Sequence, residues 1–172
     1  MLARPLRSRE TLIRTAPAFR ESPAIGSMHL KPPLSAFSRL SVALLALLSV
    51  GALYGGAALV ARPDGSLVHY PGSFLEHTPF GSFLVPGLLL LAVNGFFPLA
   101  VIALTLRRHP WAARLTVVSG VLLSCWIAVQ IALIRLFYPP LHVPYFALGI
   151  VLAALGGIEE RRRRALATSG PG

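Results

Sequence analysis

Two amide side chains interrupt long apolar stretches of this sequence, and they are the residues best suited to bind a small molecule among packed helices. Asn94 and Gln130 each lie within a run of mainly apolar residues. An amide can both donate and accept hydrogen bonds. We interpret the pair first as an interhelical hydrogen bond, typically worth about 0.6 kcal/mol and at most ~2 kcal/mol. A polar contact to a ligand held inside the bundle is the functional alternative.

A second polar group lies between the first two apolar runs and comprises Asp64, His69, Glu76 and His77. With His142, these residues offer the imidazole and carboxylate ligands that zinc uses. Their spacing matches no ligand signature, and because Glu76 and His77 are adjacent, one helical face cannot present both. We therefore predict no metal site and interpret the four residues as an exposed surface.

The apolar runs lack the side chains on which common membrane chemistries depend. They contain no Asp or Glu, which argues against an antiporter driven by a carboxylate. They have no His in their interior to ligate a haem. The single cysteine, Cys125, cannot form a Cys-x-x-Cys pair. We predict that the protein is not an enzyme and carries no cofactor.

Four membrane-spanning helices are predicted to position these residues. The sequence is 55% hydrophobic with a mean hydropathy of +0.69, which is too apolar for an ordinary soluble domain. A helical span needs roughly 20 apolar residues. The predicted spans, within a membrane domain of residues 37–158, are 40–61, 83–106, 112–137 and 141–158. The fourth is the shortest, so three spans is the alternative count. The predicted fold is an all-α membrane four-helix bundle, with an external loop (residues 62–82) packed at the membrane surface.

Basic residues lie mostly on one side of the predicted spans. The net charge is +10, and 14 of the 16 basic residues precede the first span, flank the second connection or follow the fourth span. Cytoplasmic loops carry an excess of Lys and Arg, so we predict an inner (plasma) membrane protein with both termini in the cytoplasm. The basic run after the fourth span is predicted to contact anionic lipid; it consists of Arg161, Arg162, Arg163 and Arg164.

The two tails are predicted to lie outside the membrane domain. Residues 1–36 are rich in Arg, Ser and Pro, which predicts disorder. Met28 is an alternative start, so the translation of residues 1–27 stays open. Residues 159–172 are predicted to be a basic cytoplasmic tail. Phe19 is the only aromatic residue within the tail of residues 1–36, and we therefore expect no nucleic-acid binding.

Small residues predict how the spans pack, because helices in a membrane associate through such residues and through polar contacts. We assign helix packing to Gly51, Gly55, Gly87 and Gly120. Three spans carry matching small or polar faces, which favours a compact bundle. The Gly51-xxx-Gly55 spacing is also compatible with a homodimer.

The residues around the first loop form a recognisable pattern. It includes Gly55-Gly56, Pro63-Asp64-Gly65, the segment Leu75-Glu76-His77-Thr78-Pro79-Phe80, and Pro86-Gly87. This pattern resembles a family of small uncharacterised bacterial four-span membrane proteins over about residues 50–155. The resemblance implies a topology and no activity.

The function that we predict from the sequence is non-enzymatic. The protein is expected to be an accessory or partner subunit in the lipid bilayer, or a small-ligand sensor that uses its external loop. A small transporter or channel formed by oligomers is the alternative, because Asn94 and Gln130 supply a thin polar stripe.

Overall fold

A computed structural model describes residues 33–135 and 137–168. The predicted disordered segment up to residue 32, including Met28, lies outside these residues, as do residues 169–172. All the elements described below belong to one compact unit that begins at Leu34.

Four helices dominate the fold, and each is long and apolar enough to cross a membrane. They are α1 (Ala36–Ala61), α2 (Leu84–Leu106), α3 (Ala112–Ile134) and α4 (Pro139–Thr168). No strand occurs among the described residues. The predicted all-α membrane four-helix bundle is confirmed. We call the end with residues 62–83 the loop end, and the end with residues 107–111 and 159–168 the basic end.

Helix α1 begins at Ala36, four residues before the predicted start at residue 40, and two further helix ends also depart from the predicted spans. Helix α3 stops at Ile134 rather than at residue 137, because Arg135 takes a left-handed conformation with φ 54°. Helix α4 continues ten residues beyond the predicted limit at 158. Arg163 and Arg164 each pair with the glutamate four residues before them, an arrangement that supports a helix outside the apolar segment.

Contacts at the basic end join α1, α3 and α4. Ser35 caps α1 by accepting a hydrogen bond from the Ser38 N–H, and its hydroxyl donates to Glu159 Oε2 over 2.9 Å. Arg114 on α3 pairs with Glu160 on α4 over 2.8 Å. These contacts fix the helices relative to one another at this end.

The four helices form a ring in chain order. The α3–α4 pair has the most extensive contact, and Gly156 allows α4 to approach the backbone of Ala113. In the α1–α2 pair, a Cβ atom on Gly56 would lie 3.0 Å from the Gly87 carbonyl oxygen. Close helix packing therefore uses glycines that include the predicted Gly87.

Helix α2 is irregular at its centre. Residues Leu90–Phe96 form a π-helical segment between two α-helical parts, and the Phe97 N–H donates to the Ala92 carbonyl five residues back. Pro98 has no N–H with which to bond the Asn94 carbonyl, and the wider turns before it accommodate that loss. The part from Phe97 onwards packs against α3, whereas Leu84–Leu89 does not pack closely against it. The two helices therefore separate towards the loop end.

Residues 62–83 fold over the loop end with two short 3₁₀ turns, Ser66–Val68 and Gly72–Leu75. The predicted turn at residues 63–66 forms, with Gly65 at φ 79° and the Asp64 carboxylate accepting from the N–H and hydroxyl of Ser66. The Phe83 N–H donates to the Pro63 carbonyl over 2.8 Å. This bond closes the segment into a lid over the bundle.

Candidate functional site

Three adjoining cavities lie between the lid and the middle of the bundle. We call them the inner chamber (about 130 Å³), the lateral chamber (about 180 Å³) and the outer chamber (about 370 Å³). Tyr70 and Gln130 line all three. These two side chains therefore mark the junction of a single cavity system.

The inner chamber is lined by one of the most deeply buried polar side chains among the described residues. Asn94 is only 1% exposed, and neither its amide oxygen nor its amide nitrogen has a hydrogen-bond partner among the described residues. A buried polar group without a partner costs about 1–3 kcal/mol. Asn94 lies in the π-helical segment, an irregularity that is frequent at functional sites.

The predicted hydrogen bond between Asn94 and Gln130 is absent from the described residues. Both side chains line the inner chamber instead, and the Asn94 amide has no partner. The structure therefore brings the two residues to one cavity without joining them. This arrangement leaves the Asn94 amide without a partner beside the inner chamber.

Two of the predicted packing glycines face this chamber. A Cβ atom on Gly51 would lie 3.4 Å from the Tyr145 hydroxyl, and one on Gly55 would lie 3.6 Å from Leu90. Both glycines line the inner chamber. The face of α1 that carries Gly51 and Gly55 therefore points towards the interior of the bundle. The sequence had suggested this face as a possible homodimer interface.

The lateral chamber is almost entirely apolar and lies where α2 and α3 separate. Leu89 and Val129 stand on its two sides and are 43% and 50% exposed. Phe74 and Phe80 of the lid cover it. Because the edge residues are apolar and exposed between two membrane-spanning helices, this chamber opens towards the lipid-facing surface.

The outer chamber is lined by residues of the lid and of the α3–α4 connection. His142 is buried, and its Nδ1 atom accepts a hydrogen bond from the Tyr138 N–H over 3.0 Å. His69 lies at the rim in a left-handed conformation with φ 57°. Burial raises the pKa of the Tyr70 phenol above its usual value of 10, and the nearby Tyr145 raises that pKa further.

The predicted surface residues of the lid show no grouping of three possible metal ligands. Asp64, His69, Glu76 and His77 are all exposed. Among residues 33–135 and 137–168, no three His, Cys, Asp or Glu side chains lie close enough together to hold a metal ion. Hydrogen bonds from the backbone N–H and the hydroxyl of Ser66 lower the pKa of Asp64. Of the four residues, only His69 lines a chamber.

A layer of apolar side chains closes the cavity system below the inner chamber. Leu45, Val101 and Leu152 are fully buried, and Leu123 is 2% exposed. Nearer the basic end, the space between Ser41 and Thr105 measures about 10 Å³, which is no more than one water molecule needs. The chambers therefore end inside the bundle.

Sequence reasoning missed the aromatic residues of the site. Trp126 lines the inner and lateral chambers, Tyr70 lines all three, and Tyr145 lines the inner one. A signal for the α3 wall was present, because Trp126, Val129, Gln130, Leu133 and Ile134 follow the spacing of one helical face. All five of these residues line the lateral chamber.

Comparisons with protein-family models, with curated proteins and with solved structures find no match to this chain. The resemblance over residues 50–155 therefore stays a prediction. The cavity system and the distribution of charge are the features of the molecule that bear on its function.

Proposed function

We propose that this chain is a non-enzymatic sensor of a small ligand, embedded as a multi-pass protein in a bacterial inner membrane. The observation that carries the proposal is the cavity system beneath the lid, which holds an unpartnered amide at its inner end. Ligand sites are typically concave and mostly apolar, with a few placed polar groups. The three chambers have these properties.

The orientation that we propose puts both termini in the cytoplasm and the lid outside. It is supported by the 14 of 16 basic residues on the side of the termini. In this orientation the lateral chamber opens into the outer half of the membrane. The run from Arg161 to Arg164 at the basic end, in which all but Arg163 are exposed, then faces anionic lipid on the cytoplasmic side.

A passage for ions or solutes through a single chain is less compatible with the bundle. The buried layer around Leu45, Val101 and Leu152 lies between the chambers and the basic end. A transporter or channel would need either an oligomeric pore or a rearrangement of this layer. A sensor or a partner subunit needs neither.

The proposal can be tested by filling the cavity. Gly55→Leu places a side chain into the inner chamber, where the added Cβ atom has room. Gly157→Leu is the matched control, because its Cβ atom would have no neighbour within 4 Å. We would purify the wild type and both variants in a mild detergent, and identify bound molecules by native mass spectrometry and extraction.

We expect a small-molecule adduct on the wild type and on Gly157→Leu that is lost in Gly55→Leu. Equal adducts on all three proteins, or none on any, would overturn the proposal. A stoichiometric protein partner in the same preparations would add a role as a partner subunit, with the exposed residues Asp64, Glu76 and His77 as its candidate contact surface.

A further inference from the structure

We propose that the ligand is an uncharged amphiphile, with a polar head about the size of one ring that hydrogen-bonds to Asn94. Its aliphatic tail leaves between α2 and α3. This inference rests on the proposed function and adds the chemical class of the ligand. Three features of the cavity system carry it: the size of the inner chamber, the charge of the lining and the position of the opening.

The inner chamber sets the size and the chemistry of the head. Its volume is about 130 Å³. An apolar cavity of roughly 150 Å³ in another protein is large enough to bind benzene. Asn94 lines this space, and its amide nitrogen and amide oxygen have no hydrogen-bond partners among the described residues. A head with a hydroxyl or carbonyl group satisfies at least one of them.

The lining sets the charge of the head. Among the described residues that line the three chambers, none is Lys, Arg, Asp or Glu. The histidines that line the outer chamber are His69, which is exposed at its rim, and His142, whose Nδ1 atom accepts a hydrogen bond from the Tyr138 N–H. A charged head would lose its hydration without gaining an opposite charge, so the chambers favour a neutral molecule.

The lateral chamber sets the path of the tail. It adjoins the inner chamber at Gly55, Leu90 and Trp126. It then reaches the exposed apolar side chains of Leu89 and Val129. A tail that follows this path stays in apolar surroundings from the head to the hydrocarbon of the bilayer. The geometry therefore fits a lipid-soluble molecule that enters sideways from the membrane.

Trp126 provides a direct readout of occupancy, because it lines both chambers that the ligand would fill. The other tryptophan, Trp111, is 56% exposed and lies beside Arg114 at the basic end. A Trp111→Phe background leaves Trp126 as the only tryptophan reporter. Binding is followed as the change in Trp126 fluorescence. Each probe is added at the same mole fraction relative to the detergent.

The probes share a ring and a ten-carbon tail and differ only in the head: 4-decylphenol, decylbenzene and 4-decylbenzenesulfonate. We expect 4-decylphenol to bind roughly ten-fold more tightly than decylbenzene, as the gain of one buried hydrogen bond predicts. We expect the sulfonate to bind more weakly than the phenol by at least the same factor.

Asn94→Leu tests the amide itself. The variant removes two buried polar atoms that lack partners, so the ligand-free protein should be at least as stable as the wild type. This variant should bind 4-decylphenol and decylbenzene with about the same affinity. Ser49→Ala is the control, because the Ser49 hydroxyl is also buried and unpartnered but lines none of the three chambers. We expect this variant to retain the wild-type discrimination.

The outcomes separate this inference from the proposed function. Equal binding of 4-decylphenol and decylbenzene, or tighter binding of the sulfonate, would overturn the inference. If Gly55→Leu nevertheless abolished the binding of these probes, the proposed function would stand. Unchanged discrimination in Asn94→Leu would also overturn the inference, because the head would then be recognised elsewhere or through water. No response of Trp126 to any probe, together with no effect of Gly55→Leu on bound molecules, would overturn both.

Discussion

Gly120 of α3 lies directly against the backbone of Gly149 of α4, with no room for a Cβ atom between them. A Cβ atom on Gly120 would overlap the Gly149 carbonyl oxygen, and one on Gly149 would overlap the Ser124 hydroxyl. Helices in membranes approach this closely only where small residues meet. Helices α3 and α4 are therefore closely packed, and this packing positions Trp126 and Gln130 at the cavity.

We expect Gly120→Ala to destabilise the protein. The overlap with backbone atoms should cost about 1–3 kcal/mol, more than the gain of up to ~1 kcal/mol from replacing a helical glycine by alanine. Unfolding in mixed micelles at increasing fractions of a denaturing detergent measures the difference. Gly157→Ala is the matched control, because its methyl group has no neighbour within 4 Å. Equal stability of the two variants would contradict the packing described here.

The fold was predictable from the sequence because the length of an apolar run and the placement of charge decide where a helix crosses a membrane. The extension of α4 to Thr168 was not predicted, since hydropathy reports only the apolar part of a helix. The sequence did contain a signal for this extension. Oppositely charged residues four positions apart favour a helix, and two such pairs occur here, Glu159–Arg163 and Glu160–Arg164.

The site was only partly predictable. Asn94 and Gln130 stand out by residue type among apolar neighbours, and the structure places both at one cavity. Trp126 and Tyr145 do not stand out, because apolar and aromatic residues occur on both the lipid-facing and the inward faces of a membrane helix. The contribution of Tyr70 depends on how the lid folds back onto the bundle, and no spacing along the chain gives that geometry.

The lid should depend on one glycine. Gly65 has φ 79°, and a Cβ atom there would lie 2.8 Å from both the Phe83 ring and the Tyr70 carbonyl oxygen. Gly65→Ala should therefore cost about 1–3 kcal/mol of local stability. We expect faster cleavage within residues 62–83 by a protease added to the purified protein. Gly72→Ala, in open space, should be cleaved at the wild-type rate, and equal rates for both variants would contradict this role of Gly65.

The N-terminal cap of α1 should contribute measurably to stability. The Ser35 hydroxyl accepts from the Ser38 N–H and donates to Glu159 on α4. Ser35→Ala removes both bonds and should cost about 1 kcal/mol. Ser35→Thr keeps a hydroxyl and should retain most of that stability in the same unfolding assay. Identical losses in the two variants would show that the hydroxyl is not the source of the effect.

The proposed orientation predicts which residues are reached from outside the cell. In a Cys125→Ser background, His77→Cys should react with a membrane-impermeant maleimide on intact cells, because His77 is exposed on the lid. Thr168→Cys, at the opposite end of the bundle, should react only after the cells are permeabilised. The reverse pattern would place the termini outside and overturn the orientation.

Tyr70 should titrate at higher pH than an ordinary tyrosine. Burial beneath the lid and the neighbouring Tyr145 both raise the pKa of its phenol. The folded protein favours the neutral form of the Tyr70 phenol. The contribution of this pKa shift to the free energy of unfolding is therefore fully present below the unfolded pKa of about 10. That contribution is then lost as the pH rises through the higher pKa of the folded state.

Ultraviolet titration of tyrosinate formation measures this directly. Subtracting the curve of Tyr70→Phe from that of the wild type should isolate one phenol with a midpoint above pH 10. The difference in stability between the two proteins should be constant below that pH and should shrink above it. A difference curve with an ordinary midpoint would show that the lid leaves Tyr70 open to water, and it would remove Tyr70 from the junction of the three chambers.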